Sequence, residues 1–299
     1  VRIPTGEELF GATREMKECV TGVAFDSPET LLDTCGTGGA PKTFNVSTAA
    51  GIVSASCGAR VAKHGNVSRT GRGSAEVLER LGVNIHASQS QQKLCLQNAG
   101  ICFCFAPKHH PAVAHVMRVR KQIGTPTIFN LLGPLTNPCS AGRQLLGVWD
   151  SMFVAPIAEA LYSGGTTKSA VVHALDGLDE VSVSAPTRIM FVDQSDCTEK
   201  IINPEEFGLS TWNINEVQAT TLDEATEFIF NVLYLGRGGA VRDMIIFSAG
   251  ISLFLAGVSE DILGGVKMAS KSIDSGAAGE TLRTWALISN TETPSTECM

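Results

Sequence analysis

No stretch of this chain stays apolar for long enough to cross a membrane as a single helix, and no signal peptide is expected at its start. Gly-Lys-Ser/Thr at P-loop spacing is missing, and so is Gly-x-Gly-x-x-Gly. Those absences remove two common nucleotide cradles. Positive charge is in short supply: Lys and Arg number 23 against 30 Asp and Glu, for a net charge of −7. That disfavours nucleic acid as a main partner, because a phosphate backbone calls for a basic face. Charged residues make up 18% and hydrophobic ones 43%, proportions of a globular protein rather than a disordered one. The nine cysteines are scattered and show neither zinc nor thioredoxin spacing. Free thiols in a reducing compartment are the expectation. Cys102 and Cys104 lie in an apolar strand-like run, where alternate residues share a face.

What is present is a glycine-rich turn, Asp33-Thr34-Cys35-Gly36-Thr37-Gly38-Gly39, running on through Thr43-Phe44-Asn45-Val46-Ser47-Thr48. Leu31-Leu32 before it and Ala49-Ala50-Gly51-Ile52-Val53 after it read as strand, tight loop and helix. Glycines let the backbone approach a ligand closely. Loop amides and a helix start together form an anion-binding concavity, to which Ser47 and Thr48 add hydroxyls. Phosphate is the natural guest, and a plain strand-to-helix turn is the alternative. Lys42, Arg60, Lys63, Arg69, Arg72 and Arg80 against Glu76 and Glu79 give this region local positive potential.

At 299 residues the chain is long enough for one large domain or two. Residues 4–20 carry a Thr cap, early acids and helix spacing. Ala59–Ala62 reads as a short buried strand feeding the polar quartet Lys63-His64-Gly65-Asn66. In open α/β sheets the carboxyl edge of the strands is where ligands bind. A helix over 74–82 follows, then a helix over 88–98 and a strand over 101–106. His109-His110-Pro111 opens a helix through Arg120, with Pro111 suited to its first turn. No carboxylate or cysteine beside the paired histidines completes a ligand set, so a metal there is disfavoured. Arg118 and Arg120 should point to different sides. Residues 126–138 are apolar in the middle, with Gly-Pro and Asn-Pro breakers.

Strands are expected at 144–148 and 169–174, with a helix at 153–161 between them. The second strand runs into Asp176-Gly177-Leu178-Asp179-Glu180. Three carboxylates in five residues repel unless solvated or bound to a cation. Mg²⁺, which bridges to substrate phosphates, suits them, and a solvated acidic turn is the alternative. A β excursion over 181–215 precedes helices at 224–235, 240–256, 260–275 and 280–289, then a loose polar tail.

Four segments, in order, resemble those of anthranilate phosphoribosyltransferase: Gly36–Gly39 with Asn45-Val46-Ser47-Thr48; Lys63-His64-Gly65-Asn66; His110-Pro111-Ala112 through Val119-Arg120 to the stretch Thr127–Pro138; and Asp176–Glu180. The similarity covers nearly the whole chain. It implies an α/β fold shared with pyrimidine nucleoside phosphorylases. A small helical domain (1–23 and 109–140) would pack on a large α/β domain (24–108 and 141–290) with a mostly parallel sheet, leaving 291–299 as a tail. The active site would lie between the domains. The resemblance further implies that the amine of anthranilate attacks C1 of phosphoribosyl pyrophosphate with Mg²⁺ as cofactor, releasing pyrophosphate in tryptophan biosynthesis.

By position, the resemblance gives Gly36, Thr37, Gly38, Gly39, Thr43, Asn45, Ser47, Thr48 and Lys63 to phosphoribosyl pyrophosphate. Gly36, His64, Asn66, His110, Arg120 and Gly133 go to anthranilate, and Ser47, Asp179 and Glu180 to the metal. Lys63, His64 and Arg120 would carry catalysis. A guanidinium suits a planar carboxylate. An aromatic amine is nucleophilic when neutral, so no strong general base is called for, and none stands out.

The chain departs from the family pattern at five places. Ala40 stands where an Asp is usual, Val67 for Arg, Arg118 for Pro and Pro126 for Arg, and the loop after Asn66 is one residue shorter. The small domain's N-terminal helices, which in the family help form the dimer, are largely missing from the sequence as given, so a homodimer stays an open expectation. Small-molecule substrates are the expected partners, with neither nucleic acid nor membrane. The setting would be cytoplasmic, or the plastid stroma in a plant or alga. The competing readings are a nucleoside phosphorylase of the same fold, and a non-catalytic relative binding a ligand or nucleic acid. The stretch from His110 to Pro138 favours the transferase over the first. Intact Ser47, Lys63, Arg120, Asp179 and Glu180 favour chemistry over the second.

Overall fold

The computed structural model describes residues 2–41, 43–68 and 70–291, apart from the side chains of residues 114, 117, 118 and 121. Lys42, Arg69, the Arg118 side chain and the expected tail beyond residue 291 therefore lie outside the described residues.

The chain opens with α1 (Gly6–Glu18), started by a reciprocal cap. The Glu8 amide donates to Thr5 Oγ1 at 3.2 Å, and the Thr5 amide to Glu8 Oε2 at 3.0 Å. Strand β1 (Leu32–Gly36), α2 (Val46–Ser56), β2 (Val61–Gly65), α3 (Ser74–Arg80), α4 (Gln89–Ala99) and β3 (Ile101–Phe105) follow. Next come α5 (Ala106–His109), α6 (Pro111–Ile123), α7 (Ile128–Leu135), β4 (Arg143–Gly147), α8 (Val154–Ser163) and β5 (Lys168–Ala174). The last part holds β6 (Thr187–Asp193), β7 (Cys197–Ile202), α9 (Leu222–Leu235), α10 (Ala240–Ala256), α11 (Ile262–Asp274) and α12 (Ala277–Ser289).

The strands form one seven-stranded sheet in the order β3-β2-β1-β4-β5-β6-β7. The first five run parallel, and β6 and β7 add an antiparallel hairpin at one edge. This is the mostly parallel α/β sheet that the sequence implies. Each face carries its own core. One collects α2, α4, α9, α10, α11 and α12 around side chains such as Ile52, Leu78, Phe247 and Trp285. The other gathers Leu9 of α1, Leu131, Leu132 and Leu135 of α7, and Val154 and Ile157 of α8 against Leu146, Val171 and Val192 of the sheet. Burial on both faces explains why the parallel strands read as continuous apolar runs. Helices α1 and α7 thus share a core with α8 and one face of the sheet. Among the described residues no single helix is long and apolar enough to cross a membrane.

Two local readings change. Lys63 and His64 belong to β2 itself, paired with Phe103 and Cys104 of β3, rather than to a loop beyond a strand ending at Ala62. Residues 128–135 form α7 despite Pro134, because Leu131, Leu132 and Leu135 all bury in the second core. Packing of an apolar stripe outweighs a breaker placed in the last turn.

Candidate active site

The carboxyl ends of β1, β2, β4 and β5 bring the site residues together. At the end of β1, Gly38 and Gly39 take φ of 65° and 102°, a left-handed backbone that glycine adopts without strain. A Cβ on Gly39 would lie 3.4 Å from the Trp149 ring, so the loop is seated on that indole. The Thr37 amide donates to the Gly147 carbonyl at 2.9 Å, and the Trp149 amide donates to Thr37 Oγ1 at 3.2 Å. These bonds tie the loop to the end of β4.

Helix α2 starts at Asn45, whose side chain does not cap it; Asn45 Nδ2 donates instead to the Arg72 carbonyl at 3.2 Å. Thr43 donates to the Phe44 carbonyl at 2.9 Å. Ser47 is half-buried in the first turn, and its hydroxyl accepts from Lys63 Nζ at 3.1 Å. The same ammonium donates to the Thr34 carbonyl. Lys63 is only 1% exposed, so its charge sits beneath the glycine loop rather than in the open cleft. Burial lowers its pKa from the ordinary value, although Asp33, Cys35 and Glu180 pull the other way. Thr48 is fully buried, and its hydroxyl has no hydrogen-bond partner.

The acidic turn divides into two functions. Asp176 is committed to structure: Ser182 and Ser184 both donate hydroxyls to its Oδ2, at 2.6 and 2.9 Å. Asp179 and Glu180 are left facing the glycine loop. A Cβ on Gly36 would stand 3.2 Å from Asp179 Oδ2. Glu180 has its pKa pushed up to about 8 by burial and by the Asp179 charge, with Lys63 and the Ser47 amide opposing. Glu180 accepts the Ser47 amide and lies beside Asp179, and two hard carboxylates with the hydroxyl of Ser47 are a donor set that fits Mg²⁺.

On the other side of β1, His64 is held between two acceptors. Nδ1 lies 2.6 Å from Asp33 Oδ2, and Nε2 lies 3.1 Å from the Gly133 carbonyl of α7. Asp33 also receives the His64 amide at 3.3 Å and Gln144 Nε2 at 3.0 Å. An acceptor at each nitrogen favours the doubly protonated, positively charged ring, while Asn137 Nδ2 also lies 3.4 Å from Nδ1. Burial works against that charge, but the Asp33 charge and hydrogen bond outweigh it and raise the His64 pKa. A side chain on Gly133 would meet nothing within 4 Å, so this carbonyl sits beside open space.

Arg120 on α6 is half-buried, with its guanidinium over the Phe129 ring at 5.3 Å and Nη2 3.4 Å from Asn130 Oδ1. His110 precedes α6, and its pKa falls to about 4 through burial and the charges of His64 and His109. It lines an apolar cavity of about 210 Å³ with Met16, Val113, Val116 and Phe129. His109 turns away, toward the Thr21 carbonyl and Gln92, so the paired histidines do not share a ligand. Asn66 is exposed just past β2, where its side chain accepts the Val67 amide.

Two of the arginines expected to make this region basic serve elsewhere. Arg60 donates to the Asp26 carbonyl and to Thr30 at the far end of the strands, and Arg80 pairs with Asp223. Sequence reasoning gave no role to Asp33, Gln144 or Gly147. A buried carboxylate inside an apolar strand was the available signal for Asp33. Gly147 had none, because its constraint comes from a distant turn: a Cβ there would overlap the Asp179 carbonyl oxygen, at 1.7 Å.

A strand-end phosphate cradle beside a carboxylate pair, on a doubly covered parallel sheet, is the arrangement of an α/β group transferase. Residues 28–279 match the family model described as glycosyl transferase family, a/b domain. The anthranilate phosphoribosyltransferase of Methylobacillus flagellatus is 41% identical over 280 residues, spanning 93% of this chain and 82% of the relative. That of Hyphomonas neptunium is 44% identical over 286 residues, spanning 95% and 83%. Among solved structures, the Thermus thermophilus enzyme superposes with a TM-score of 0.91 at 33% identity, over 97% of this chain and 87% of that one. The Saccharomyces cerevisiae enzyme in complex with PRPP and Mg gives 0.84 at 28% identity, over 95% and 80%. The chain belongs to the anthranilate phosphoribosyltransferase family.

Proposed function

We infer that this protein transfers the phosphoribosyl group of 5-phosphoribosyl 1-pyrophosphate to the amine of anthranilate, in tryptophan biosynthesis. The observation that carries the reading is the abutment of Asp179 on Gly36. It brings a carboxylate pair, a glycine loop and a helix start to one strand edge, with His64 and Gly133 across β1 from them.

In this reading Gly36, Thr37, Gly38 and Gly39, with Thr43, Asn45, Ser47 and Thr48, form the phosphoribosyl pyrophosphate cradle. Lys63 acts from beneath as a buried positive charge that also fixes the Ser47 hydroxyl. Ser47, Asp179 and Glu180 would hold Mg²⁺, which when bound neutralises charge developing on the pyrophosphate. His64, Asn66, His110, Arg120 and Gly133 receive anthranilate. Arg120, and His64 with its pKa raised against burial by Asp33, favour its carboxylate, and the apolar cavity beside His110 suits its ring.

The amine nitrogen bonds to C1 as the bond from C1 to the pyrophosphate oxygen breaks. The nitrogen then sheds a proton, and pyrophosphate leaves with the bonding pair. The ribosyl carbon is oxocarbenium-like in between, by analogy with glycosyl transfer. Lowered pKa keeps His110 neutral at physiological pH, so it adds no charge against that carbon. Holding both substrates in line supplies much of the rate.

The soluble substrates suit the cytoplasm, or the plastid stroma if the source is a plant or alga. The test is anthranilate fluorescence in the presence of the chain, phosphoribosyl pyrophosphate and Mg²⁺. Loss of signal that needs all three components is expected. No loss, with phosphorolysis of a pyrimidine nucleoside instead, would overturn the reading.

A further inference from the structure

The strongest feature outside that site is a knot of sulfur. Cys102 and Cys104 share one face of β3, and Cys139 approaches them from the segment after α7. All three are buried, with at most 2% exposure. Their Sγ atoms lie within 4.8 Å of one another, and Cys104 Sγ is 3.3 Å from Cys139 Sγ. A buried free Cys can serve simply as a small apolar side chain, and its reactivity includes metal binding. These come from two separate segments and meet sulfur to sulfur.

Polar groups surround the knot inside an otherwise apolar core. Gln92 of α4, 2% exposed, places Oε1 4.0 Å from Cys104 Sγ. Its Nε2 lies 3.3 Å from Nε2 of buried His109, whose Nδ1 donates to the Thr21 carbonyl at 2.7 Å. A carbonyl on one ring nitrogen fixes the tautomer and leaves the other with a lone pair.

We propose that Cys102, Cys104 and Cys139 bind one thiophilic d¹⁰ cation, Zn²⁺ or Cu⁺. Metal–sulfur bonds of about 2.3 Å around such an ion set the sulfurs about 3.8 Å apart. The Cys104–Cys139 spacing of 3.3 Å is below that value and all three sulfurs lie within 4.8 Å of one another, so each needs only a small shift. An all-thiolate set is soft and selects these ions over Mg²⁺, which separates this site chemically from the Asp179–Glu180 pair. Binding deprotonates the thiols and releases up to three protons. The Cys139 amide donates to Asn137 Oδ1 at 2.8 Å, and Asn137 Nδ2 donates to the Ala62 carbonyl at 2.8 Å. The ion therefore pins the segment after α7 to β2 and β3, next to His64.

The test uses the reduced full chain with Cys19, Cys57, Cys197 and Cys298 changed to Ser, so that these thiols do not compete. It is equilibrated with Zn²⁺, or with Cu⁺ under anaerobic conditions, and desalted against a weak chelator. Metal is then counted by mass spectrometry. About one equivalent is expected, with three fewer titratable thiols and a raised thermal midpoint. Cys104→Ser and Cys139→Ala should each cut retention at least tenfold. Circular dichroism checks that both fold, and Cys139→Ala, a small-for-small change, carries the test if Cys104→Ser does not. Retention of neither metal by the parent, or retention unchanged in Cys139→Ala, would overturn the proposal. So would recovery of a Cys104–Cys139 disulfide, two hydrogens lighter and metal-free even after reduction and reloading.

Discussion

Gly147 closes β4 under the acidic turn, and replacing it by Ala isolates how much catalysis depends on where Asp179 stands. The added Cβ would sit 1.7 Å from the Asp179 carbonyl oxygen and 2.5 Å from its carbonyl carbon. Ordinary contact begins near 3.4 Å, so the oxygen must retreat by about 1.7 Å. The turn cannot simply swing away, because Ser182 and Ser184 hold Asp176 three residues earlier. A misplacement of about 1 Å at catalytic groups costs on the order of 100-fold in rate, or about 2.7 kcal/mol on the barrier. Overpacking of this kind costs about 1–3 kcal/mol in stability. Gly147→Ala should therefore stay folded at assay temperature, lose at least about 100-fold in kcat/KM, and need more Mg²⁺ for half-maximal rate. The assay is anthranilate fluorescence across a Mg²⁺ titration, with a thermal melt alongside. Gly11→Ala is the control: its Cβ meets nothing within 4 Å in the middle of α1, so activity should hold and stability rise by about 0.5–1 kcal/mol. A Gly147→Ala protein with parental kcat/KM and Mg²⁺ midpoint would refute the reasoning.

Ala40→Asp restores a carboxylate next to the glycine loop and should move the Mg²⁺ midpoint of activity to lower concentration; superimposable titrations would count against a role for this position. Asp33→Asn removes the partner of a buried charge, which costs about 3–5 kcal/mol. The sign follows from the shifts: the Asp33 pKa is lowered by the His64 charge and bond despite burial, and the His64 pKa is raised. Stability from Asp33 is thus present above its unfolded value and lost as pH falls through its depressed folded one. Stability from His64 is full below its unfolded value and lost as pH rises through its raised folded one. Urea unfolding should show the largest gap between parent and variant in mildly acidic buffer, narrowing on the alkaline side, and a gap constant with pH would contradict this. Arg120→Lys keeps the charge but loses the paired donor geometry; KM for anthranilate should rise about 10-fold with kcat nearly unchanged, and equal loss in kcat would point to a different role.

The legible parts of this molecule were those written locally. Thr5 with Glu8, the glycines at 236 and 257, and the apolar runs of β3 and β5 announce their elements because cap, stop and burial act within a few residues. The glycine loop and Asp179–Glu180 were readable as separate motifs, since each sits at a strand end. That they meet in one site came only from the resemblance and not from the residues themselves: β1 and β5 are separated by β4 in the sheet, and the topology brings Asp179 over Gly36. Asp33 was hidden for the opposite reason. Its partners His64 and Gln144 come from β2 and β4, and a lone Asp in an apolar strand names neither of them. The sulfur knot was half legible, as a pair on one strand face, with the third thiol supplied by a segment 35 residues on from Cys104.

Charge balance at the strand edge gives a physical reason for dependence on a divalent ion. Burial lowers the Lys63 pKa; against burial, Asp33 raises that of His64 and His64 lowers that of Asp33; and burial with the Asp179 charge pushes Glu180 up to about 8. The described basic groups of the cluster are already engaged: Lys63 by Thr34 and Ser47, His64 by Asp33 and Gly133. Arg60 and Arg80, which local sequence would recruit, are tied up elsewhere. A pyrophosphate brought against this edge adds several negative charges where the described basic groups are already engaged, and low polarity magnifies the repulsion. A divalent ion held by Ser47, Asp179 and Glu180 would supply that charge. Removing Mg²⁺ should then weaken phosphoribosyl pyrophosphate binding and leave anthranilate binding little changed. Calorimetry of each ligand with and without the ion checks this, and equal weakening of both would place the ion's role elsewhere.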